Sequence, residues 1–159
     1  MNYKSDTSKS TRIDEATDFP KVVLIDNYNA CNLRCSMCDH VNMKKYRKIQ
    51  LMDMGLYRRI IDEISVENKS VRVWEIFFGD PFMCGDMPER IRYAKDKSLT
   101  DVVLNSNGVL MSATKAQEVI EAGLDAMYVG IDAATEETYK KIRIGGKFDK
   151  AVQNVLTFR

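Results

Sequence analysis

Short apolar runs alternate along this chain with stretches whose apolar residues recur every three or four positions. Lys21 to Asp26 (KVVLID) is brief and β-branched, which predicts a buried strand. Gly55 to Val66 places Leu56, Ile60, Ile61 and Ile64 on one helical face. Val71 to Phe78 predicts a second strand, and Asp86-Met-Pro88 a helix start, with proline near the first helical position and the helix running to about Lys97. A third strand follows at Asp101 to Asn105. Ser112 then caps a helix with Ala116, Val119 and Ile120 inward and Gly123 at its end. Ala126 to Ile131 predicts a fourth strand, and Thr135 to Ile142 and Phe148 to Phe158 two helices parted by Gly145-Gly146.

Strands alternating with helices make an α/β protein with a parallel sheet of about four β/α units. A doubly wound open sheet and part of a (β/α) barrel both satisfy the pattern, and both gather ligands at the carboxyl ends of the strands. The unusual polar and glycine-bearing segments sit there: three cysteines after the first strand, Phe77-Phe78-Gly79-Asp80-Pro81 after the second, Ser106-Asn107-Gly108 after the third and Asp132 after the fourth. One pocket can use them all.

Composition narrows the function. Of 159 residues 45% are hydrophobic and 30% charged, as in a water-soluble globular domain, and 24 basic residues stand against 23 acidic ones. That balance gives no electrostatic case for a nucleic-acid or membrane-surface partner. No apolar run approaches the roughly 20 residues of a bilayer span. Residues 1–20 are polar, lack the apolar stretch of a secretory signal and read as a flexible tail, so a cytoplasmic location is expected. The folded domain is expected over 21–159.

Three of the four cysteines fall within Cys31-Asn-Leu-Arg-Cys35-Ser-Met-Cys38. A tight group of this kind in a reducing compartment is metal-binding or catalytic more often than disulfide-forming. Iron–sulfur clusters take a full set of four thiolates, so three leave one iron open for a substrate or cofactor. Other readings stand beside this one. The spacing fits one face of a helix, with small buried thiols; His40 could complete a Cys3His zinc site; and a redox thiol pair is possible in principle.

The spacing Cys-x3-Cys-x2-Cys after a first strand resembles the signature of radical S-adenosylmethionine (radical SAM) enzymes. Phe78-Gly79-Asp80-Pro81 resembles that family's Gly-Gly-Glu-Pro element, and Ser106-Asn107-Gly108 its Thr-Asn-Gly. Gly130-Ile131-Asp132-Ala133, Thr138-Tyr139 and the run Ile142-Arg143-Ile144-Gly145-Gly146-Lys147-Phe148-Asp149 resemble members that carry a SPASM or twitch extension. The resemblance implies a partial radical SAM (β/α) barrel. It further implies a 4Fe–4S cluster on Cys31, Cys35 and Cys38, whose open iron chelates the amino and carboxylate groups of S-adenosylmethionine. An electron donor supplies one electron, the sulfonium is cleaved to methionine and a 5′-deoxyadenosyl radical, and the radical takes hydrogen from a peptide or small-molecule substrate. By position, Phe78, Gly79 and Asp80 would meet the methionine amino group, Ser106 and Asn107 other polar groups of the cofactor, and Arg143 its carboxylate. Met37 stands where many members carry an aromatic residue against the adenine, and Gly130 where relatives often have serine. Asp132 is a further candidate contact.

Each of these residues also has a plainer role open to it. Asp80 suits a turn before Pro81, Ser106-Asn107-Gly108 suits turn chemistry, Asp132 could cap the next helix, and Arg143 could be a solvated charge. Trp74, Phe77 and Phe78 are expected in the core, and Cys84 as a small packed or partly exposed residue. Four β/α units are fewer than the family's usual barrel. The expectation is therefore a truncated form, or a fourth strand whose open edge a second chain covers. A metal-binding module without catalysis, holding iron–sulfur or zinc, is the competing function.

Overall fold

The computed structural model describes residues 18–43 and 45–158. Its four strands, β1 (Val22–Leu24), β2 (Arg72–Trp74), β3 (Asp101–Ser106) and β4 (Ala126–Val129), are all parallel and stand side by side in chain order. The register aligns Leu24 with Trp74, Trp74 with Val103, and Val103 with Ala126. Six helices accompany them: α1 (His40–Met43), α2 (Met54–Glu67), α3 (Met87–Asp96), α4 (Ala113–Glu121), α5 (Glu136–Ile142) and α6 (Phe148–Thr157). A 3-10 turn spans Pro81–Met83. Neither α1 nor that turn is expected from periodicity, because both are too short to show a period. The expected tail lies mostly in residues 1–17, outside the described residues, and Phe19 already packs against the core.

Local chemistry sets the helix starts. Asp53 accepts from Leu56 N (3.1 Å) ahead of α2, Ser112 from Lys115 N (3.3 Å) ahead of α4 and Thr135 from Thr138 N (3.3 Å) ahead of α5. Pro88 sits in the first turn of α3, where its missing N–H costs nothing. Gly123, with φ of +95°, closes the turn that leaves α4.

Helices α2, α3 and α4 cover one face of the sheet. Tyr57, Ile61 and Ile64 of α2, Met87, Ile91 and Ala94 of α3, and Ala116 and Val119 of α4 bury Val73, Val102 and Leu104. Two expected core positions point elsewhere: Leu56 is 40% exposed and Ile120 36%. Tyr57 takes the place of Leu56, about 100° further round the helix. The opposite face carries Val22, Leu24, Trp74 and Tyr128 and no helix among the described residues; Leu24 remains 52% exposed and Phe77, just beyond β2, 53%. Trp74 and Tyr128 stack over that face with ring centroids 5.0 Å apart. So Trp74 and Phe77 are not core residues, and Phe78 is only half-buried. Helices on a single face distinguish part of a (β/α) barrel from a doubly wound sheet, which has helices on both.

A second, smaller core lies beneath the cysteine loop. Leu33 and Cys35 pack there with Val109, with Tyr139 of α5 and with Ala151 of α6. β1, β2 and β4 are shorter than the apolar runs that announce them, while β3 runs one residue further, to Ser106; beyond β2, Phe77 and Phe78 reach the site.

Candidate functional site

Residues 31–38 form an irregular loop after β1, not a helix, which removes the reading of the three cysteines as one helical face. Cys31 is half-buried, Cys35 buried and Cys38 exposed, and all are free thiols. Burial, above all, raises the pKa of Cys31 above its ordinary value. His40 is also buried, and its Nε2 lies 2.8 Å from the carbonyl oxygen of Asn29. Among the described residues no three His, Cys, Asp or Glu side chains converge on a point that could hold one metal ion. A Cys3His zinc centre is therefore not assembled.

All three cysteines line one open cavity of about 250 Å3. Met37 joins them from the same loop. Phe78, Gly79 and Asp80 enter from the segment after β2, Ser106 and Asn107 from the end of β3, and Arg143 from the end of α5. Of the candidates read from the sequence, only Asp132 is absent from the wall, and it pairs with the Arg143 guanidinium. Phe77, expected in the core though it opens the segment after β2, and Asn105, which was not singled out, complete the lining.

Several of these residues hold one another. Asp80 is buried, and Oδ2 accepts from Ser106 Oγ (2.9 Å) and Asn107 N (3.0 Å) while Oδ1 accepts from Phe82 N (3.1 Å). Burial raises its pKa, and these donors oppose the rise. The plainer reading of Asp80 is met in full: it caps the 3-10 turn. It also ties the β2 and β3 ends together. Gly79 has a close neighbour, though not a ligand. A Cβ there would fall on the carbonyl oxygen of Tyr28 and lie 2.8 Å from that of Ala30. Asp80 N donates to the same Ala30 carbonyl at 2.8 Å. The segment thus grips the entry to the cysteine loop, and only glycine permits that approach.

Asn107 Nδ2 donates to Asn32 Oδ1 (2.9 Å) and lies 3.9 Å from Cys31 Sγ, while Oδ1 closes its own turn by accepting from Val109 N (3.0 Å). Arg143 is no surface charge: its side chain is 16% exposed and Nη1 lies 3.5 Å from Cys35 Sγ. Asp132 is not the helix cap; Thr135 is.

A three-thiolate set is soft and suits iron–sulfur ligation. Such a cluster presents a separate iron to each thiolate, so its ligands need not converge on one point. The buried Nε of Arg143, which has no hydrogen-bond partner, adds a spare donor beside Cys35. The residues present fit a cluster that brings negative charge into the cavity.

The model of the radical SAM superfamily matches residues 28–159. The chain belongs to the radical SAM superfamily. A probable GTP 3′,8-cyclase of Methanococcus maripaludis is 34% identical over 125 residues, which cover 79% of this chain and 41% of that protein. A 7,8-dihydro-6-hydroxymethylpterin dimethyltransferase of Methanocaldococcus jannaschii is 29% identical over 116 residues, covering 72% of this chain and 23% of the relative. Among solved structures, anSMEcpe with bound AdoMet superposes with a TM-score of 0.70 at 16% identity, covering 86% of this chain and 40% of that one. BtrN in complex with AdoMet and 2-DOIA gives 0.66 at 17%, covering 79% and 56%. At such identities the superpositions establish the radical SAM fold. The chain spans about two fifths of the length of the cyclase.

Proposed function

We propose that this chain forms the cofactor-binding front of a radical SAM enzyme, with Cys31, Cys35 and Cys38 holding a 4Fe–4S cluster beside a site for S-adenosylmethionine. The observation that carries this reading is the meeting, on one cavity at the carboxyl ends of the strands, of ten side chains or backbones nominated from the sequence. When bound, the cluster and S-adenosylmethionine would supply one-electron reductive chemistry, with an electron from an external donor, that ends in hydrogen abstraction from the substrate and in methionine and 5′-deoxyadenosine as products.

The protein's part is to bind, orient and exclude water. Met37, on the exposed side of the cysteine loop, offers an adaptable apolar surface to the adenine. Phe78 and the Gly79 backbone border the place of the methionine amino group. Asp80 acts through Ser106 and Asn107, whose positions it fixes, rather than by free carboxylate contact. Asn107 and Arg143 are the donors left to face cofactor carboxylate or hydroxyl groups, with Asp132 steadying Arg143. The substrate is a peptide or a small molecule. The names of the relatives above, a GTP cyclase and a pterin dimethyltransferase, favour the small molecule.

Anaerobic reconstitution with iron and sulfide, reduction, and chromatography for 5′-deoxyadenosine test the proposal. Iron–sulfur absorption whose electron-spin signal changes on adding S-adenosylmethionine, followed by 5′-deoxyadenosine, is the expected result; simultaneous Cys31→Ala, Cys35→Ala and Cys38→Ala replacement should abolish both. A cluster with no response to S-adenosylmethionine would instead mark a binding module without catalysis.

A further inference from the structure

The turn that leaves α5 runs along the cysteine loop. Arg34 N donates to Ile144 O and Ser36 N to Ile142 O, both at 2.9 Å, so two main-chain bonds flank Cys35. Between them Arg143 lays its guanidinium on the thiol, with Nη1 3.5 Å from Cys35 Sγ, across 108 residues of sequence. Nη2 is held from the other side by the Asp132 carboxylate. Asp132 occupies the left-handed region (φ 58°), a conformation that aspartate tolerates better than most residues. Gly130 completes the confinement: a Cβ there would meet Arg143 Nη2 directly. Among the described residues, Cys38 Sγ has no side-chain donor, and Cys31 has the neutral amide of Asn107 at 3.9 Å and the backbone N–H of Leu33. Of the three, Cys35 alone has a cationic side-chain partner among the described residues.

We propose that Arg143 is a positioning residue that fixes the Cys35 sulfur and raises the reduction potential of the cluster, with Asp132 setting the orientation of its guanidinium and tempering its charge. This rests on the cluster reading above. Hydrogen bonds to the sulfurs and local charge are among the determinants of a cluster's potential. A cation beside a ligand sulfur favours the state with one more electron, because the added negative charge interacts with it across a short, partly dry distance. The side-chain effect is separable from the scaffold, since the two flanking bonds use main-chain atoms of residues 142 and 144 and not the Arg143 side chain.

The test is a potentiometric titration of the reconstituted full chain, followed by electron-spin resonance, without S-adenosylmethionine and with iron and sulfide counted per chain. Arg143→Gln is expected to move the midpoint to more negative values at unchanged iron content. Arg143→Lys, which keeps the charge and loses the planar fork, is expected to move it less. Asp132→Asn is expected to move it the opposite way, since the guanidinium charge is then uncompensated. A merely structural role predicts no such reversal of sign. Midpoints identical to that of the parent protein at equal iron content overturn the inference alone. If Arg143→Gln takes up no iron, the Lys and Asn variants decide, and absence of opposite shifts in them overturns it. Failure of the parent chain to take up iron and sulfide removes the cluster reading and this inference with it.

Discussion

Glu75 is a fully buried carboxyl at the end of β2, where periodicity alone predicts an apolar side chain. Its Oε1 lies 2.7 Å from Tyr57 Oη, and Oε2 accepts from Asn27 Nδ2 at 2.6 Å. Arg90, also buried, donates to Asn27 Oδ1 (3.1 Å) and pairs with Asp86 (2.7 Å). The Tyr57 hydroxyl has one proton and two acceptors, Glu75 and the Arg90 carbonyl at 2.8 Å. A proton on Glu75 settles the conflict, and burial pushes that carboxyl up from 4.5 to about 7. A carboxyl that binds its proton more tightly when folded stabilises the fold fully below pH 4.5, and that contribution is lost as pH rises through about 7. The loss is roughly 3 kcal/mol. Glu75→Gln, whose amide can donate to Tyr57 and accept from Asn27, should flatten this dependence and leave the protein more stable than the parent at pH 8. Urea midpoints at pH 5 and pH 8 check it; equal slopes in the two proteins would refute the protonated carboxyl. Gly79 carries a steric constraint instead. Gly79→Ala should cost about 2 kcal/mol or more, because two carbonyl oxygens of the cysteine-loop entry must withdraw, and iron uptake should fall with it.

Between elements, the joins are made by polar atoms on short segments. Asp80 links the β2 end, the 3-10 turn and the β3 end through three accepted hydrogen bonds. Asp80→Asn keeps the shape but sets an amide N–H against a donor at one of these contacts. It should cost about 1 to 3 kcal/mol in denaturant unfolding, with the near-ultraviolet signal of the Trp74–Tyr128 stack unchanged. The cap at α4 offers a milder comparison: Ser112→Ala should cost about 1 kcal/mol and leave iron uptake unchanged. The caps were legible because a helix start is a local event. The pairing of residues 34 and 36 with 144 and 142 was not, since nothing in either segment names the other.

For the fold taken together, the described helices cover the sheet on one side. Val22, Leu24 and Tyr128 stay exposed on the other, with Trp74 half-buried among them. A parallel sheet ordinarily has both faces covered, and an apolar strand face left open invites association. The single tryptophan stands at its centre. Leu24→Lys together with Tyr128→Lys should reduce binding of a hydrophobic dye and the concentration dependence of sedimentation, without loss of helix signal. No change in either measurement would mean that the Trp74–Tyr128 stack already shields this face. Among the described residues, no helix is long and apolar enough to cross a membrane.

The order of the elements, the parallel α/β class and the set of chemically unusual residues at the strand ends were all legible in the chain before it folds. These follow from local patterns: period, capping residues, and the spacing of three thiols in one loop. The folded arrangement sets what each of those residues touches. It made Asp80 and Gly79 supports for the cysteine loop while leaving both on the cavity wall, and brought Arg143 onto Cys35 instead of into solvent. It also left Trp74 half-buried and Phe77 exposed, though both look like core residues in the chain, because no helix among the described residues covers their side of the sheet. The physical reason is common to all three. A side chain's role depends on which distant backbone lies within a few ångströms, and sequence spacing carries no record of that distance once the chain has crossed from one strand to the next.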